Sequence, residues 1–98
     1  MTLEIKRSAG ETTIKVVGRL DSFTAPVLEK MINKAALGEM SIVLELSGVE
    51  QVSDVGVSVL LNAHKKMSEM GSLRLTGVCE SVMETFRTSG CADVLVIN

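Results

Sequence analysis

Apolar residues in this chain recur at every second position near its start, then at every third and fourth, and the two periods keep alternating to the end. Leu3-Glu4-Ile5-Lys6-Arg7 alternates apolar with polar, the period of a half-buried strand. Thr12 to Leu20 follows, with Ile14, Val16, Gly18 and Leu20 on one face. Ser8-Ala9-Gly10-Glu11 between them reads as a turn, so the opening is an antiparallel hairpin.

The period changes after Leu20. Leu28, Met31, Ile32, Ala35 and Ala36 fall at helical spacing, with Glu29, Lys30, Asn33 and Lys34 opposite them. Ser22 or Thr24 can cap this helix, Pro26 suits its first turn, and Gly38 stands where a left-handed stop belongs. Ser41 to Leu46, with Ile42-Val43-Leu44 unbroken, predicts a strand covered on both faces. A second helix is predicted from about Val55 to Met70, with Val57, Leu60, Leu61, His64 and Met67 inward and Gly71 ending it as Gly38 ends the first. Leu73 to Thr76 is a strand, Cys79 to Thr88 a helix with Val82, Met83 and Phe86 inward and Gly90 after it, and Val94 to Ile97 a last strand. The order is β-β-α-β-α-β-α-β. After the hairpin, strands alternate with helices, which predicts an α/β fold: a mixed sheet with parallel crossovers and helices packed on it.

The chain has 98 residues, expected to form one domain over 1–98. Its 46% apolar and 22% charged residues are an ordinary globular mix. Phe23 and Phe86 are the only aromatics, so Val, Leu, Ile, Met and Ala must build the core. A net charge of -2, no basic cluster and no aromatic stacking row argue against direct nucleic-acid binding. No apolar run approaches a membrane span and no leader is visible, so a cytoplasmic protein is expected. In that compartment Cys79 and Cys91 are expected as small core residues rather than a disulfide.

Catalytic signatures are missing. His64 is the only histidine, which leaves little material for a metal cluster or a Ser-His-acid triad. The glycines form neither a phosphate-binding loop nor a dinucleotide fingerprint. No enzyme, no metal and no cofactor are expected.

One stretch carries more information. From Leu44 a buried strand exits into a loop, and a helix begins near Ser53-Asp54. Free N–H groups and the positive end of the helix dipole meet there, a favourable place for a carboxylate or phosphate. Ser53 or Asp54 can equally be a plain cap. Gly56 in the first turn is costly in a helix unless something approaches the backbone closely.

The Gly18-Arg19-Leu20-Asp21 strand end, the Ala25-Pro26-Val27-Leu28 helix start and the Leu46-Ser47-Gly48-Val49 to Ser53-Asp54-Val55-Gly56-Val57 segment resemble a STAS domain. They are most similar to the free-standing bacterial anti-sigma factor antagonists, over nearly the whole chain. The resemblance implies a module that binds an anti-sigma factor, itself a serine kinase, and so frees a sigma factor. Phosphorylation of a serine at the start of the second helix breaks that complex, and a PP2C-type phosphatase, a second expected partner, restores it. The expected partner-binding residues are Asp21, Ser22, Glu50, Ser53, Asp54, Val55, Gly56 and Val57. Asp21 is equally readable as a cap of the first helix.

The family pattern is Asp-Ser-Ser/Thr-Gly-Leu/Val. Alignment on Gly56-Val57 puts Ser53 on its aspartate, Asp54 on the phosphorylated serine and Val55 on the next hydroxyl. Three readings stay open: Ser53 has become the acceptor, Asp54 is a permanent partial mimic of phosphoserine, or the partner has adapted to Asp54. An alternative function is a non-catalytic STAS subunit bound to a transporter ATPase or another complex. The family usually adds a helix after the last strand, so Val94 to Ile97 is expected to be less covered, giving a monomer or weak dimer.

Overall fold

In the computed structural model, which describes residues 2–8, 10–37 and 41–98, the opening alternation becomes two antiparallel strands, β1 (Thr2–Ser8) and β2 (Glu11–Leu20). Their register pairs Leu3 with Val16 and Ile5 with Ile14, which puts the apolar set of both strands on one face. Helix α1 (Ala25–Ala36) leads to β3 (Ser41–Val52), α2 (Asp54–Met70) to β4 (Ser72–Thr76), and α3 (Glu80–Thr88) follows. The sheet order is β1-β2-β3-β4, with β2, β3 and β4 parallel. Each crossover steps one strand in the same direction, so crossovers of one hand carry α1 and α2 over the same face.

Burial follows that arrangement. Ile14, Val16, Leu20, Ile42, Leu44, Leu46, Leu73 and Leu75 face inward and form one core with Leu28 and Ile32 of α1, Leu60 and Met67 of α2, and Val82 and Phe86 of α3. At about 25 cal/mol per Å² of apolar area, each fully buried Leu or Ile contributes about 1.5–3 kcal/mol. The opposite face of β3 departs from the expected double cover. Val43 is buried there, but Glu45 is half-buried and Ser47 exposed. Over Val43, Arg74 of β4 reaches Glu11 of β2 in a 2.7 Å ion pair. The unbroken apolar run therefore reflects a strand flanked on both edges and packed by helices on one face.

β3 also runs six residues beyond the predicted Leu46. The pairing with β2 slips between Lys15 and Val17, resumes as Val17 with Gly48 and Gly18 with Val49, and slips again before Leu20 pairs with Val52. The predicted last strand is reduced to a parallel bridge between Leu75 and Ile97. A turn in which the Cys91 carbonyl accepts from the N–H groups of Val94 and Leu95 consumes the start of that segment. Only Val96 to Asn98 run beside β4, with Leu75 N–H donating to Val96 O and Asn98 N–H to Leu75 O. The element order is thus kept to the end, with its final strand cut to one bridge.

Gly90 has φ +73°, the left-handed stop expected after α3. Gly71 does not repeat it: its φ of 175° is extended, because the chain runs straight into β4. The stop expected at Gly38 lies outside the described residues. Both cysteines are free thiols, Cys91 buried and Cys79 half-buried. No helix among the described residues is long and apolar enough to cross a membrane.

Candidate functional site

Because β2, β3 and β4 are parallel, their C-terminal ends lie along one edge of the sheet, and each feeds a helix. That edge gathers the turn 21–24, the start of α2 and the start of α3. Between them lies an open groove of about 490 Å³, lined among others by Arg19, Asp21, Glu50, Gln51, Ser53 and Thr85. The carboxyl edge of a parallel sheet is the usual place for recognition in α/β folds.

Ser53 is the N-cap of α2. Its backbone is extended (φ -82°, ψ 173°), and Oγ accepts the Gly56 N–H at 3.2 Å. Its own N–H donates to the Leu20 carbonyl at 2.8 Å, which fixes the start of α2 to the end of β2. Gly56 is there because that carbonyl is so near. A Cβ on Gly56 would stand 2.8 Å from Leu20 O and 2.9 Å from Val52 Cγ1. Close approach of the backbone, rather than of a ligand, accounts for the glycine. Asp54 is the first helical residue and is exposed, with its charge at the positive end of the dipole.

Asp21 caps the turn into α1, one of the two readings open for it, while Thr24 stands at the N-cap position of the helix without a side-chain cap bond. Its Oδ1 accepts from the N–H groups of Phe23 at 3.0 Å and Thr24 at 3.1 Å. The Thr24 hydroxyl accepts from Asp21 N–H at 2.9 Å and donates to the Arg19 carbonyl at 2.7 Å. The bonds from Thr24 and then Phe23 hold the Asp21 carboxyl below its ordinary pKa of 3.8. Asp21 also lines the groove. At the groove's other wall the Ser81 hydroxyl donates to the Glu50 carbonyl at 3.1 Å, tying α3 to β3.

Of the remaining residues expected at the site, Ser22 and Glu50 are exposed and Val55 is 44% exposed. Gly56 and Val57 are buried, packed against β2 and the core. They set the position of the helix and offer no side chain to a partner. Two exposed residues not expected at the site stand beside it in sequence: Phe23 is 87% exposed, and Val27, at the start of α1, is 52% exposed. The available signal was an aromatic inside the polar turn Asp21-Ser22-Phe23-Thr24 of a chain with only two aromatics. No group of three or more His, Cys, Asp or Glu among the described residues could hold a metal.

A family model of the STAS domain matches residues 2–98. This chain belongs to the STAS domain family. The anti-sigma-B factor antagonist of Bacillus subtilis is 25% identical over 100 residues, spanning 100% of this chain and 91% of that protein. The crystal structure of an anti-sigma factor antagonist from Mycobacterium paratuberculosis superimposes with a TM-score of 0.87 at 22% identity, covering 98% of this chain and 83% of that one. A sulfate transporter family protein from Wolinella succinogenes shares the fold with a TM-score of 0.80 at 17% identity, over 92% of this chain and 78% of that one. At such identities the two structures establish the STAS fold alone, and that fold serves more than one setting.

Proposed function

We propose that this STAS domain is an anti-sigma factor antagonist, which binds a serine-kinase-type anti-sigma factor in the cytoplasm and so releases a sigma factor. The contact surface is the sheet edge carrying the turn 21–24, Glu50, Ser53, Asp54 and Val55. Asp54 occupies the family's phosphoserine position as a fixed charge, so the complex is controlled by supply of its components and no phosphatase is needed to reset it.

The observation that carries the fixed-charge reading is the capping role of Ser53 beside an exposed Asp54. The Ser53 hydroxyl is half-buried and engaged as the helix cap, whereas Asp54 is exposed one residue later. Asp54 has no hydroxyl to take a phosphoryl group, and the hydroxyl of Ser53 is engaged with the Gly56 N–H. Asp54 carries one charge against about 1.5 to 2 for phosphoserine, with fewer acceptor oxygens, so it reproduces the phosphorylated state only in part.

The test is incubation of the purified chain with the anti-sigma factors of its own organism and ATP, followed by intact mass with fragment mapping and by gel filtration. A stable complex with no added mass is the expected result. One phosphoryl group on Ser53 would refute the fixed-charge reading and leave a switch shifted by one residue. Neither complex nor added mass would refute the proposal as stated. Recovery of the complex by Asp54→Ser would then identify Asp54 as a locked mimic of the phosphorylated state.

A further inference from the structure

Phe86 is fully buried, while Phe23 is 87% exposed. An isolated exposed apolar side chain needs no explanation. Phe23 differs in three respects, each independent of the others.

It is held in place. Its N–H is bound by Asp21 Oδ1, and the next residue is bound to Asp21 and to Arg19, so the turn is built before anything docks. A side chain presented on an ordered turn loses little further freedom on binding. Two further exposed apolar residues, Val27 and Val55, 52% and 44% exposed, sit in the first turns of α1 and α2, which start at the same sheet edge. The sheet edge it belongs to carries charge of one prevailing sign. Asp21, Glu50 and Asp54 belong to this edge, against the single cation Arg19 in the groove. Aromatic residues in such settings dominate the energy of protein interfaces, with charged rims setting partner and approach rate.

We infer that Phe23 is the apolar anchor of a protein-docking surface and enters an apolar pocket on a partner whose rim carries Lys or Arg. The inference rests on the antagonist reading above and adds to it where the binding energy lies. With the energy concentrated in Phe23, the complex tolerates the fixed charge of Asp54, which a basic rim accepts.

The test is isothermal titration calorimetry and stopped-flow association of the whole chain with the anti-sigma factor of its own organism. Phe23→Ala is expected to weaken binding about tenfold or more. Phe23→Leu retains apolar bulk and should recover part of that loss. Leu37→Ala, at the far end of α1 and also 87% exposed, should bind as the parent does. Phe23→Ala should melt with the parent, since the ring is in solvent and the backbone bonds to Asp21 survive. Added salt should slow association of the parent.

Parent and Phe23→Ala binding alike would overturn the anchor while the antagonist reading stands. Equal losses in Phe23→Ala and Leu37→Ala would also overturn it, by showing unspecific apolar adhesion. Salt-independent association would overturn the basic rim. A parent chain that binds none of the organism's anti-sigma factors would overturn the antagonist reading, and the anchor with it.

Discussion

Gly56→Ala puts two opposing effects into one methyl group. In an exposed helix interior, Ala is favoured over Gly by about 1 kcal/mol. Here the new Cβ would stand 2.8 Å from the Leu20 carbonyl oxygen, 2.9 Å from Val52 Cγ1 and 3.0 Å from Leu20 Cγ. The side-chain atoms can rotate away, but the carbonyl cannot. It is backbone, and it accepts the Ser53 N–H at 2.8 Å, so moving it strains the junction of β2 and α2. Overpacking of this kind costs about 1–3 kcal/mol, and rigidity places this case in the upper half of that range. The net expectation is a loss of about 1–2 kcal/mol once the propensity gain is subtracted. For a chain of this length the unfolding entropy is near 0.2 kcal/mol/K, so the melting temperature should fall by about 5–10 °C. Thermal melts by far-UV circular dichroism read this directly. Ser58→Ala, on the exposed side of the same helix, supplies the control and should be neutral or slightly stabilising. A Gly56→Ala protein that melts at or above the parent temperature would refute the close-approach reasoning.

Ser53→Ala removes the acceptor of the Gly56 N–H and should cost about 1 kcal/mol in a denaturant melt, with no change in m-value. Phe86→Ala, at a fully buried site, should cost about 3–5 kcal/mol by the same assay, in contrast to the silent Phe23→Ala. Asp21 has a folded pKa held below its unfolded value by the N–H groups of Thr24 and Phe23. Its stabilising contribution is therefore complete above the unfolded value and is lost as pH falls through the folded one. A carboxyl-carbon NMR titration should place its midpoint below 3.8, and Asp21→Asn should flatten the acid side of the stability profile.

The elements whose apolar period stays intact were legible in the sequence: the hairpin, the three helices and the first half of β3. The second half of β3 was not, because its buried residues Leu46, Val49 and Val52 fall three apart. Two register slips, opposite Val16 and opposite Arg19, produce that spacing, and it reads as loop when strict alternation is the template. The last strand failed for the opposite reason. Val94 to Ile97 is uniformly apolar, but composition does not reveal that a turn from Cys91 takes up its first residues. At the site, residue type identified Ser53 and Asp21 as caps or contacts. Which of the two each would be depended on neighbours brought in by folding, such as the N–H groups of Phe23 and Gly56.

The Leu20 carbonyl links two stretches of surface that are more than thirty residues apart in the chain. It accepts from Ser53 on one side, and on the other it is the backbone from which the Asp21–Thr24 turn departs. The two halves of this sheet edge are therefore not separate adjustable parts. A change that lifts α2 off β2 tilts the Phe23 turn with it, and a change in the turn is felt at Asp54. Substitutions in the two halves should fail to add in their effects on binding. For a lineage altering this surface to fit a new partner, single steps confined to one half would carry a cost, and paired steps across the Leu20 junction would be the open route.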